Sequence, residues 1–227
     1  MSKISPATIK FLKDIKKNNH KAWYEKNKAR KEAAYAEMWA FAETLQNEMK
    51  KIDQIVEVSP KKMIKRIHRD VRFSKDKTPY KTYIMGGLGR DTDYLRGGYY
   101  FKIEPGKSHF GGGFYSPEPK DLKLLRSHIA AEPKRLRKIL SSAKWKNTFG
   151  ELMGEQVKTS PKGFDKNDPA IDLLRFKQYY GMKLFTEKEV TAPGFYKEVI
   201  KTWKNLRPWF DYMSECLTHD LNGTPIV

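Results

Sequence analysis

Residues 66–81, RIHRDVRFSKDKTPYK, set three arginines, three lysines, two carboxylates and three hydroxyl groups in sixteen residues. Guanidinium groups donate in a planar fork that matches phosphate and carboxylate oxygens two at a time, and lysines add compact point charges. The stretch therefore reads as an anion site, with Arg66, Arg69, Arg72, Ser74, Lys75, Lys77, Tyr80 and Lys81 as ligand-binding candidates. On a strand, Arg66, His68, Asp70 and Arg72 would share one face because side chains alternate. His68 and Asp70 are then the candidates for proton transfer, with the arginines stabilising developing negative charge. The alternative is architectural: Arg69-Asp70 and the Lys75-Asp76-Lys77 run pair with acids elsewhere and pin the loop onto the sheet.

The elements that must hold this stretch can be read from caps and periods. Ser5-Pro6 opens a helix with Ile9, Phe11, Leu12 and Ile15 on its apolar face. Asn18-Asn19-His20 interrupts it, and one longer helix is expected through Trp23, Tyr35, Met38, Trp39, Phe41, Leu45 and Met49. After Ser59-Pro60, which could cap another helix, the alternation of Ile67, Val71 and Phe73 predicts a strand running into the charged loop. Gly86-Gly87-Leu88-Gly89 reads as turn-rich, followed by a hairpin of Gly98–Ile103 and Ser108–Tyr115 about the Pro105-Gly106 turn. Further helices are expected at Leu122–Ile129, after Glu132-Pro133, at Ala170–Phe176 and over Phe195–Leu217 with Pro208 as a break or first-turn residue, and a strand at Gln178–Phe185. No repeat or flexible linker separates these elements. The expectation is one α+β domain over 1–227, helices at both chain ends packed on a mainly antiparallel sheet.

Other constellations carry less. Gly111-Gly112-Gly113 permits close approach of a backbone, and a strand bend explains it more simply than a ligand cradle. Neither it nor Gly86–Gly89 fits a nucleotide fingerprint. The five histidines include no pair at ligand spacing, and the one cysteine, Cys216, lies among Trp209, Phe210, Met213 and Leu217, where a buried, inert thiol is expected. No structural zinc is expected, and a magnesium site on Asp70, Asp76 or Asp165 would need a substrate phosphate beside it. No nucleophile elbow is present.

Forty-five basic against 27 acidic residues give a formal charge of +18 over 227 residues, which favours anionic partners by long-range attraction. A single cysteine and the absence of an apolar leader or membrane-length run point to a reducing cytoplasm and no membrane span. Asn222-Gly223-Thr224 is in that setting a chance glycosylation match. A polynucleotide is the rival partner: the loop, the basic helix of Arg135–Lys146, and Tyr80, Tyr94, Tyr99 and Trp145 as stacking rings could serve it. No recognised nucleic-acid motif accompanies them. A third alternative is an interaction scaffold without catalysis.

The chain also resembles a known family. Asn18-Asn19 with Trp23-Tyr24, the whole pattern from Arg66 through Lys81, and Gly98-Tyr99-Tyr100 carry the likeness, together with Gly112-Gly113-Phe114-Tyr115-x-Pro117, Pro161-x-Gly163-Phe164-Asp165 and Leu173-Leu174-Arg175-x-Lys177. These resemble the conserved family called domain of unknown function 2461, with Tyr24 standing where that family is associated with Phe. The resemblance implies a cytosolic α+β domain and brings no activity, cofactor or catalytic residue with it.

Overall fold

The computed structural model describes residues 3–227 and is an α+β protein with a four-stranded antiparallel sheet and helices at both chain ends. Helix α1 (Pro6–Lys17) starts as its sequence dictates: Ser5 Oγ accepts the Thr8 amide at 3.3 Å, and Ile9, Phe11, Leu12 and Ile15 turn inward. The expected long second helix is instead two. Helix α2 (Lys21–Lys26) ends at Asn27, whose side-chain amide donates to the Trp23 carbonyl at 2.9 Å, and α3 (Lys28–Lys50) begins beyond it. An amide side chain that satisfies a preceding carbonyl competes with helix continuation.

Helix α4 (Pro60–Met63) forms where Ser59-Pro60 allows it, but the strand expected across Ile67–Phe73 does not. The chain here meets its neighbours at isolated antiparallel bridges, Ile64 to Gly86 and His68 to Tyr80, and turns at Arg72-Phe73. The glycine run read as a turn lies inside strand β1 (Ile84–Gly89). A Cβ on Gly86 would come within 2.6 Å of the Met63 carbonyl oxygen and 2.8 Å of the Phe101 ring, so glycine here serves close packing of an extended chain. The hairpin of β2 (Gly98–Ile103) and β3 (Ser108–Phe114) forms as expected.

Helices α5 (Pro119–Ala131), α6 (Pro133–Ser141) and α7 (Ala143–Phe149) follow, the last two separated at Ser142, which caps the Trp145 amide. Then come α8 (Ile171–Leu174), β4 (Tyr179–Phe185), α9 (Glu187–Val190), α10 (Phe195–Lys204) and α11 (Arg207–Thr218), which opens on Pro208. The sheet order is β1-β2-β3-β4. Beside β3, a Cβ on Gly111 would lie 2.0 Å from the Gly181 carbonyl oxygen of β4, so this glycine admits a second backbone.

The chain groups into two compact units: the described residues to Leu88 with Tyr100–Phe110 and Leu184–Lys201, and Gly89–Tyr99 with Gly111–Lys183 and Thr202–Val227. The first is built on an aromatic cluster in which Phe110 meets Phe41, Phe101, Phe185 and Phe195 at ring separations of 5.3–6.4 Å. In the second, Tyr99 packs on Trp203 and Phe210, and Tyr179 on Trp209. Cys216 is buried there as expected, and burial pushes its thiol up to about 11. Among the described residues, no helix is long and apolar enough to cross a membrane.

Candidate functional site

The charged loop belongs to the first unit, and it rests on the short helix α2. Asn19 makes both bonds that a strand neighbour would make to Tyr80: its side-chain amide donates to the Tyr80 carbonyl at 2.8 Å, and its oxygen accepts the Tyr80 amide at 3.0 Å. The Tyr24 ring stacks on Tyr80 at 4.2 Å and 16° between planes. His68 closes the group edge-on, 5.8 Å from Tyr24 and 5.3 Å from Tyr80. Tyr24 and Tyr80 are buried, and burial raises both phenols above their usual range. From α3, the Tyr35 hydroxyl donates to the Lys65 carbonyl at 3.2 Å and ties down the loop's entry.

Above this base the loop bonds to itself. The Arg69 amide donates to the Pro79 carbonyl and the Lys81 amide to that of Ile67, at 2.9 and 2.8 Å, which pinches the loop at its neck. The Arg69 guanidinium fills the interior, donating to Asp76 Oδ2 at 2.6 Å, to the Thr78 carbonyl at 3.0 Å and to the Thr78 hydroxyl, with Ser74 Oγ a longer contact at 3.5 Å. Asp76 also accepts the Thr78 amide at 2.9 Å. Arg72 takes both oxygens of Asp70, at 3.0 and 2.7 Å. Lys77 donates to the carbonyls of Val71 and Arg72, and Lys81 to that of Arg66 at 2.5 Å.

The sequence candidates thus fall into two sets. Arg69, Lys77 and Lys81 donate to loop acceptors, Ser74 accepts from Arg69, Tyr80 lies beneath the loop, and His68 rests on the two tyrosine rings. Arg66 and Lys75 are exposed, and neither side chain hydrogen-bonds or ion-pairs with any described residue. Arg72 is clamped by Asp70 yet 77% exposed. The strand that would set Arg66, His68, Asp70 and Arg72 on one face does not form, although Asp70 and Arg72 meet through two hydrogen bonds.

The acidic partners carry the electrostatic signature of this bracing. Asp76 is held down to about 2, by the Thr78 amide first, then the Thr78 hydroxyl and Arg69, and Asp70 is lowered chiefly by Arg72. A carboxyl depressed in the folded state stabilises it above the unfolded value and loses that contribution as pH falls through the folded one. The Thr78 amide resonance is therefore expected to hold steady down to about pH 3 and to titrate below that, with its midpoint at about 2. A midpoint at the ordinary aspartate value would contradict the bracing.

Sequence reasoning missed Asn19 as the loop's anchor and Phe73 as its exposed tip, 96% accessible. Of the four aromatics named as stacking surfaces, Tyr80, Tyr99 and Trp145 are buried and only Tyr94 is exposed. The basic helix α6 is tied down in the second unit, Arg135 to Glu215 and Arg137 to Asp172, each by two guanidinium bonds of 2.7–3.0 Å. That unit also holds a cavity of about 340 Å³ lined by Phe114, Ser116, Pro117, Lys120 and an Arg96–Asp121 ion pair, at the Gly112–Pro117 motif. Asp165, the third magnesium candidate, accepts the Asn167 amide at 2.8 Å.

Comparison with known families decides what the motifs mean together. The family model described as a conserved hypothetical protein (DUF2461) matches residues 7–212. The chain belongs to that family. Two of the motifs by which the DUF2461 likeness was recognised, Asn18-Asn19 with Trp23-Tyr24 and Arg66 through Lys81, are joined in space by the Asn19–Tyr80 and Tyr24–Tyr80 contacts. No curated protein and no solved structure matched the chain.

Proposed function

We propose that this is a cytoplasmic binding protein whose charged loop takes a phosphate- or carboxylate-bearing ligand on Arg66 and Lys75, which it leaves open, with the exposed, Asp70-paired Arg72 beside them. One observation carries the reading: the loop spends Arg69, Lys77 and Lys81 on holding its own shape while Arg66 and Lys75 stay exposed and unengaged. A loop already fixed in one conformation loses little entropy when an anion arrives, so more of the contact energy appears as affinity. Binding is favoured over chemistry because Asp70 is occupied at both oxygens by Arg72.

Melting the full chain in phosphate, sulfate, citrate and chloride at matched ionic strength tests this, since a ligand that binds only the folded state raises the melting temperature. Phosphate or citrate is expected to stabilise the wild type beyond chloride, and the Arg66→Ala/Lys75→Ala variant is expected to fold normally and lose that increment. Equal responses to all four salts, or an increment that survives in the double variant and disappears in Arg96→Ala, would count against the loop.

A further inference from the structure

Phe73 is a large apolar side chain left 96% exposed, and it is not on a slack segment. The Ser74 amide donates to the Val71 carbonyl at 3.3 Å, closing a turn with Arg72 and Phe73 at its two corners. Lys77 locks that turn from below through the Val71 and Arg72 carbonyls. The Arg72 guanidinium stands 5.9 Å from the Phe73 ring centroid, and Lys75 follows two positions on. A fixed apolar tip with a guanidinium beside it and a lysine two positions on has the two chemistries that an acidic bilayer offers in adjacent layers: phosphate and carboxylate headgroups, then acyl chain.

We propose that the 71–75 turn docks the protein on an anionic phospholipid surface, with Phe73 entering the headgroup–acyl boundary and Arg66, Arg72 and Lys75 on the headgroups. The proposal rests on the anion-binding reading of the loop and names the source of the anion. It is favoured over a nucleic-acid strand because strand binding uses successive aromatic platforms along a groove. Here a single ring stands at a convex tip, while Tyr24 and Tyr80 are turned beneath the loop. One ring and three cations give reversible, composition-dependent attachment rather than permanent anchoring.

The test is cosedimentation of the full chain with vesicles of phosphatidylcholine alone and of equal parts phosphatidylcholine and phosphatidylserine. Binding is expected only to the acidic vesicles and is expected to weaken as salt rises, since screening shortens the reach of the cations. Phe73→Ala is expected to weaken it about tenfold, the effect of withdrawing a partly inserted ring. Loss of Arg66 or Lys75 is expected to weaken it about fivefold each. Phe73→Trp should keep binding and report insertion by quenching with brominated lipids. Phe73 supports no packing, so these variants are expected to melt like the wild type.

Absence of binding to acidic vesicles, or binding that Phe73→Ala leaves unchanged, overturns the proposal. So does tighter, Phe73-dependent binding of an oligothymidylate, which would make the partner a nucleic acid. If vesicles are ignored while inorganic phosphate still raises the melting temperature through Arg66 and Lys75, the lipid assignment falls and the anion-binding reading stands. If the phosphate response is also missing, both fall.

Discussion

Gly111→Ala is expected to destabilise the fold by about 3 kcal/mol or more, because the added methyl would overlap a backbone oxygen that cannot swing aside. Its Cβ would stand 2.0 Å from the Gly181 carbonyl oxygen and 2.8 Å from the Met182 Cα, so β3 or β4 must move. For a chain of this size the melting temperature should fall by roughly 10 °C. Gly106→Ala is the control. Gly106 has φ +75° in the β2–β3 turn and nothing within 4 Å of its added Cβ, so only backbone strain opposes the substitution. That strain costs about 1–2 kcal/mol. Equal losses at the two positions in thermal or urea unfolding would contradict the close-approach account of Gly111.

Tyr24→Ala is expected to cost about 3 kcal/mol, the loss of a buried ring together with its stack on Tyr80. The effect should reach beyond stability, since Tyr24 and Asn19 form the seat of the charged loop. Amides from Arg69 to Lys81 should exchange faster in the variant, while the Phe110 cluster of the same unit keeps its protection until global unfolding. Tyr24→Phe keeps the ring and should change stability by less than about 1 kcal/mol. A Tyr24→Phe variant as damaged as Tyr24→Ala would place the importance in the hydroxyl and overturn the stacking account.

What the sequence made legible follows from the range of the interactions involved. The β2–β3 hairpin, the Ser5 cap and the first-turn place of Pro208 depend on residues within a few positions of one another and were readable, whereas after Ser59-Pro60 the sequence reads as a strand in preference to the short helix that forms there. The failures lie where distant residues decide. Gly86 and Gly87 look like a turn because glycine is common in turns, but Met63 and Phe101 press on Gly86 and demand glycine in a strand. The alternation of Ile67, Val71 and Phe73 suggested a sheet strand, yet its neighbour is met only around the His68–Tyr80 bridge, and beyond it Lys77 and Asp70 take backbone groups of Val71 and Arg72.

The candidate site was readable as chemistry and not as geometry. That Arg66–Lys81 concentrates anion-binding groups is evident from composition. Which of those groups turn inward is not, because Arg69 and Arg72 carry the same side chain and differ only in what surrounds them: Arg69 is 25% exposed and Arg72 is 77%. Asn19 reaches Tyr80 across 61 residues, a pairing no local pattern encodes. Nor could spacing say that Tyr80 would be covered while Phe73 would be left in water.

The central claim is a division of labour, with Arg69 holding the loop and Arg66 and Lys75 meeting the anion. Its most direct measurement is an NMR titration of the full chain with inorganic phosphate, following the arginine Nε–H and lysine Nζ resonances against a chloride control at equal ionic strength. The account predicts saturable shifts at Arg66 and Lys75, a smaller one at Arg72 as phosphate competes with Asp70, and none at Arg69. A saturable shift at Arg69 with Arg66 and Lys75 unmoved would contradict it.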